Sequence, residues 1–229
     1  MKTLLNATVF LALCSICFAQ EKKVVKPGQE IQECFSKEES YLYPAFIEGT
    51  VLLKNREVIS ARMNYNILYG QMMFIQKPGD TLAIANPQNI EIIIFPSDTF
   101  YYSSGYHQVL AVGFGKYLTR KQFIKVHEVR KGGAYGTTSS LAATSTMSSY
   151  YGDAKTNKLT VNQEVVVSKQ SEFYIADSKG RYRILNRITI NKMYPNHKPQ
   201  IDNFINEEKI DLDKEPDVIK LFGFLMKCI

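Results

Sequence analysis

The chain has 229 residues, 45% apolar and 22% charged, with 28 Lys and Arg against 22 Asp and Glu. That length suffices for one domain with a proper core, or for two small ones. Lys/Arg runs never exceed three and are broken by Glu and Asp, so the basic excess describes a solvated surface and excludes a nucleic-acid stripe.

The chain opens MKTLLNATVFLALCSICFAQEKK. Lys2 and the amino terminus make a short basic region, Leu4 to Phe18 an apolar run, and Cys17-Phe18-Ala19 a cleavage site before Gln20. The run is too short for a spanning helix, which needs about 20 apolar residues. Leu13 and Ile16 before Cys14 and Cys17 do not suit a lipoprotein signal, which wants a small residue there. The expectation is a cleaved signal peptide over 1–19 and export to the periplasm or beyond, with no transmembrane segment after cleavage. Cys34 and Cys228 then remain. An oxidising compartment invites a disulfide between them, but neither sits at a spacing that demands pairing, and Cys228 also fits the apolar side of a helix.

After a lead segment over 20–44, the text from Ala45 to Asn186 reads as short strands and tight turns. AFIEGTVLLKN runs to a turn at Asn55-Arg56, and REVISARMNYN alternates. QMMFIQ and TLAIA flank Lys77-Pro78-Gly79-Asp80, whose Pro and Gly supply the fixed and the positive φ of a hairpin turn. NIEIIIF, SDTFYY, HQVLAVGF, FIKVHEVR, LTVNQEVVVS and SEFYIADSKGRYRILN continue the pattern, the last with Asp177-Ser178-Lys179-Gly180 as its turn. Such spacing predicts an antiparallel meander, as a curved sheet or small barrel, over 45–185. Between Arg130-Lys131 and Asp153 lies an uncharged stretch of 21 residues, GGAYGTTSSLAATSTMSSYYG. Nine of the thirteen residues from Thr137 to Ser149 are Ser or Thr, too little apolar surface to offset about 1–2 kcal/mol of backbone entropy per residue. A mobile loop over 132–158 is expected.

The period changes over 186–229. Ile201, Phe204 and Ile205 fall at helical spacing behind Pro199, and Val218, Leu221, Phe222 and Leu225 repeat it. Asp213 is placed at the N-cap of the second helix, with Glu215 and Pro216 in its first turn and Lys227 in its last. A further helix or strand is expected in RITINKMY. The whole is α+β, mainly antiparallel β, with a C-terminal helical pair.

The C-terminal text carries Tyr194-Pro195, Ile201, Phe204-Ile205, Lys209-Ile210 and Asp217-Val218-Ile219-Lys220-Leu221. With GTVLLKNREVISARMNYN and GDTLAIANPQNIEIIIF, it resembles a pattern in uncharacterised exported proteins of Bacteroidetes-type bacteria. The resemblance implies export and this architecture. Its positions are core apolars, caps and turns, and it brings no activity or catalytic residue.

Assembled chemistry is sparse. His107, His127 and His197 are dispersed, no Gly-x-Ser-x-Gly or Ser-x-x-Lys is present, and neither Cys34 nor Cys228 sits in a motif with His127. Asp211, Asp213, Glu215 and Asp217 alternate like a calcium loop, but Pro216 and Phe222 stand where that loop needs Gly and Glu, so capping explains them better. Gly113-Phe114-Gly115 and Gly132-Gly133-x-x-Gly136 lack the Gly-Lys-Ser/Thr of a phosphate loop. Fourteen tyrosines and thirteen phenylalanines could stack on sugars, although strand patterns place most in the core. An outer-membrane barrel is disfavoured by the helical C-terminus and by charges on both parities of FIKVHEVRK. The expectation is therefore an exported, non-enzymatic envelope module for binding or scaffolding, without cofactor or metal, whose partner is an envelope protein or glycan. The alternatives are a secreted hydrolase using scattered residues, such as His127 with a carboxylate, and a glycan or peptide binder using surface tyrosines.

Overall fold

The computed structural model describes residues 22–77, 80–132, 138–142 and 163–228. Residues 1–19, where a signal peptide is expected, lie outside them, and Cys14 and Cys17 with them. The strands are β1 Lys23–Val25, β2 Ile47–Leu53, β3 Val58–Asn66, β4 Gln71–Lys77, β5 Asp80–Ala83, β6 Ile90–Ile94, β7 Thr99–Tyr102, β8 Tyr106–Gly113, β9 Lys116–Gly132, β10 Thr138–Ala142, β11 Glu164–Asp177 and β12 Tyr182–Ile184. They form one antiparallel sheet in the order β1-β11-β9-β8-β7-β6-β2-β3-β4-β5, with β10 on β9 and β12 on β11. The sheet does not close, so of the two forms the strand pattern allowed the barrel is not the one adopted. Among the described residues, no helix is long and apolar enough to cross a membrane.

Alternation along the two longest strands separates the faces of the sheet. On β9, Leu118, Ile124 and Val126 enter the core, as do Phe173, Ile175, Val165 and Val167 on β11. Tyr117, Thr119, Lys121 and Lys125 belong to the opposite parity, as do their partners Ala176, Tyr174, Glu172 and Ser168. The register shifts at Val166/Val167, where Glu128 pairs with Val166 and Val126 with Val167, so His127 is the extra residue of a β-bulge. Parity flips there, and Val129 rejoins the core. This explains the charges on both parities of FIKVHEVRK: Lys125 and Glu128 share a face because a residue has been inserted between them.

Three apolar clusters are seen among the described residues. One is built by β2, β3, β4, β6, β7 and β8, from Val51, Met63, Tyr65, Met72, Ile93, Phe95, Phe100 and neighbours. Gly49 belongs here by necessity, since a Cβ would sit 2.8 Å from Met63 Cε and Phe95 Cε1. Tyr65 crosses to the other half of the sheet, donating its hydroxyl to the Gln122 carbonyl at 2.9 Å. A second cluster joins Val25, Ile31 and Phe35 of the lead segment to Leu68, Ile124, Val126, Val165 and Val167. The lead segment is thus integral to the sheet: β1 pairs with β11, and Lys23 bonds Glu39 at 2.6 Å. Helix α1 (Lys37–Ser40) starts at Ser36 with a capping box, Ser36 Oγ accepting from the Glu39 amide and the Glu39 carboxylate from the Ser36 amide.

The third cluster is covered by helices α2 (Arg187–Met193), α3 (Lys198–Glu207) and α4 (Glu215–Lys227). As the period requires, Ile201 and Ile205 of α3 and Val218, Leu221, Phe222 and Leu225 of α4 are buried. They pack on Leu118, Phe173 and Ile175, and Phe204 stacks on Phe224 at 4.1 Å. Pro199 sits in the first turn of α3, and Asn186 caps α2 by accepting from the Thr189 amide. Asp213 does not cap α4. Lys214 holds that position without a side-chain bond, while the Asp217 carboxylate accepts from the Asp211 amide and the Asp211 carboxylate from the Asp213 amide. The acids are spent on the turn before the helix.

Cys34 and Cys228 are free thiols. Cys34 packs on the cluster under the lead segment, whereas Cys228 follows α4 and bonds the Phe224 carbonyl, so the fold assigns them to different packing regions. Within the uncharged stretch, residues 138–142 form β10, paired with residues 128–132 of β9. That segment is a strand where a loop over 132–158 was expected. Residues 133–137 and 143–158 lie outside the described residues.

Candidate functional site

The outer face of β7, β8, β9, β11 and β12 brings together four partly buried tyrosines, Tyr101, Tyr117, Tyr174 and Tyr182. Ala176 pairs with both Tyr117 and Tyr182, Tyr174 with Thr119 and Ile184, and Tyr101 with His107. The rings of Tyr101 and Tyr117 meet edge to face at 5.7 Å, and His107 lies 4.8 Å from the Tyr174 ring and 4.3 Å from that of Tyr182. Ala176 and Thr119 are short and buried, which leaves room for Tyr182 to reach from β12 towards His107 on β8. The three helices pack on Leu118, Phe173 and Ile175, which point the other way.

His107 is buried under these rings. Its Nε2 lies 3.0 Å from the Ser103 carbonyl, an acceptor, so Nε2 carries the proton and Nδ1 faces Thr119 Oγ1 at 3.4 Å. Burial pushes its pKa down to about 4, so the ring is neutral at pH 7 and cannot serve as a cation there. Burial likewise raises Tyr101 and Tyr174, and takes Tyr182 up to about 12, which keeps their hydroxyls protonated. Tyr174 donates to Glu172 at 2.7 Å, Glu172 pairs in register with Lys121, and Lys121 donates to the Ser104 carbonyl at 2.7 Å. Around the rings the face therefore offers aromatic surface, neutral hydroxyls and the opposite charges of Lys121 and Glu172. Such a set can stack on and hydrogen-bond an uncharged polar ligand.

The hydrolytic arrangement is placed differently. His127 Nε2 does meet a serine, Ser168 Oγ, at 2.8 Å. Ser168 is buried, however, and also accepts from Gln170 at 2.9 Å, so its oxygen is occupied and shielded. Among the described residues, no carboxylate bonds the other nitrogen of His127 to orient it, as a nucleophile–base pair requires. Both cysteine thiols are pushed up by burial, away from the thiolate that acts as a nucleophile. His197 lies in the turn before α3. Among the described residues, no group of three His, Cys, Asp or Glu could hold a metal ion. Glu215, one of the four alternating acids, bonds Arg120 instead.

That bond ends a polar seam between the clusters. Asp98 accepts from Tyr43 at 2.8 Å and from Gln108, and Gln108 accepts from Arg120, which reaches Glu215 in the first turn of α4. Burial alone would raise Asp98, but bonds from Ser97, Tyr43 and Gln108 and the Arg120 charge hold it below the usual carboxylate range. Its members bond one another, so the seam reads as a tie between α4 and the sheet.

No protein-family model, curated protein or solved structure matches the chain. The outer tyrosine face therefore stands on its own geometry. Surface tyrosines are an alternative the sequence offers, but which of them share a face is not legible there, because alternation gives a tyrosine's parity and not the neighbouring strand.

Proposed function

We propose that the protein is an exported binding module of the cell envelope that holds a glycan on the tyrosine face of its sheet. The observation that carries this is the convergence of Tyr101, Tyr117, Tyr174 and Tyr182 from four strands around a buried, neutral His107. Rings that are part buried keep their orientation, while their exposed portions offer stacking surface at small entropic cost. Neutral hydroxyls beside Lys121 and Glu172 suit a saccharide's many hydroxyls. A hydrolase built on His127 is the weaker reading, because Ser168 is shut off from solvent.

Affinity electrophoresis through gels containing individual envelope polysaccharides tests the reading. At least one polysaccharide should retard the wild-type protein, and Tyr117→Ala and Tyr182→Ala should each weaken retardation about tenfold, the loss of one stacked ring. Unchanged retardation in both variants, or no retardation by any polysaccharide, overturns it. Selection of a peptide whose binding depends on Tyr117 would transfer the face to a peptide ligand.

A further inference from the structure

The β8–β9 turn holds an aromatic side chain where the backbone favours glycine or asparagine. Gly113 pairs with Lys116, so the central residues are Phe114 and Gly115, at φ 46° and 68°. Two positive φ angles in a two-residue hairpin define the mirror-image turn that Asn-Gly fills best. Phe114 is 73% exposed and belongs to none of the three clusters, and Val112 beside it is 62% exposed. Neither folding nor solubility favours a large apolar ring on strained backbone in water, so the outlier points to a contact made with another body.

The surroundings indicate which body. Lys116 pairs with Asp177, so the β11–β12 turn lies beside the β8–β9 turn at the same end of the sheet. It contributes Lys179 and Arg181, both exposed. The end of α4 reaches the same place, since a Cβ on Gly113 would meet Met226 Cγ at 2.8 Å, and the next residue is the exposed Lys227. Among the described residues named at this end, Lys116, Lys179, Arg181 and Lys227 stand against Asp177, already bonded to Arg181 at 2.7 Å. A protruding ring among cations needs no complementary cavity on a lipid surface, where it enters between headgroups while the cations meet phosphates.

We propose that this end of the sheet docks on an anionic lipid surface, with Phe114 as the inserted side chain. This end adjoins the tyrosine face, since Val112 pairs with Tyr117, so variants of the turn and of the rings are needed to separate the two contacts. Co-sedimentation with phosphatidylcholine vesicles, with and without about a third phosphatidylglycerol, tests it. The wild-type protein should partition onto the anionic vesicles at low salt and be released by high salt. Phe114→Asn suits the turn, so it should keep the fold while lowering partition at least about fivefold. The paired change Lys116→Glu with Lys179→Glu should abolish the preference for anionic vesicles. Phe114→Asn sedimenting like wild type overturns the proposal. So does wild-type protein that stays in solution with both kinds of vesicle, which would leave a protein partner as the occupant. Polysaccharide retardation of Phe114→Asn should equal that of wild type, so failure here is distinguishable from failure of the glycan reading.

Discussion

The two faces of the β8-β9-β11 region use the same strands to opposite ends. On the inner face, Leu118, Phe173 and Ile175 lie beneath three helices, and Val126, Val165 and Val167 beneath the lead segment. On the outer face, one residue along each strand, Tyr117, Tyr174 and Tyr182 form a single layer of rings that is partly open to water. Aliphatic side chains gain stability in proportion to the area hidden, about 25 cal/mol per Å², so the inner face calls for a complete cover. Tyrosines gain from burying the ring but must solvate or bond the hydroxyl, so they suit a layer one residue thick. The inner face holds the fold together. The outer face keeps its tyrosines partly exposed.

Truncating the inner face should show the largest effect. Leu221 is fully buried between α4 and the sheet, and Leu221→Ala should cost about 3 kcal/mol in urea unfolding, within the span for such cavities. A loss below about 1 kcal/mol would mean that α4 is not an essential cover. Acid should probe the outer layer next. His107 is held below the value of about 6.5 expected in the unfolded chain, so the unfolded state binds the proton first as pH falls. Stability from the neutral ring is full above pH 6.5 and is lost as pH falls towards 4. We expect a decrease of about 2 kcal/mol between pH 7 and pH 4.5, which His107→Gln should largely remove. His127 is shifted in the same direction, so that comparison separates the two histidines. The smallest effect belongs to the turn beyond both faces. Phe114→Asn should raise stability by up to about 1 kcal/mol, because Asn tolerates a positive φ that costs Phe. A lowered thermal midpoint would show that Phe114 packs on the fold itself.

The helices were legible because their signals are local. Ile201, Ile205, Val218, Leu221 and Leu225 recur at the helical period, and Pro199 sits where a first turn admits it. Ser36 and Glu39, a capping box within four residues, were equally legible and went unread. Asp213 does not cap because the turn is held otherwise: the Asp217 carboxylate accepts from the Asp211 amide, six residues away, and the Asp211 carboxylate from the Asp213 amide. The tyrosine face and the polar seam could not be read in this way. Tyr182 meets His107 across β11 and β9, and Arg120 meets Glu215 over 95 positions of sequence.

By itself the sequence determined the class of the fold: an antiparallel sheet with C-terminal helices, because alternation, turn residues and helical periodicity act over a few residues. Tertiary structure decided that the sheet stays open, that His127 forms a bulge and that four tyrosines share one face. It also set Cys34 and Cys228 apart. Those outcomes depend on strand order and register, which hydrophobic burial selects among many pairings that the local pattern permits equally.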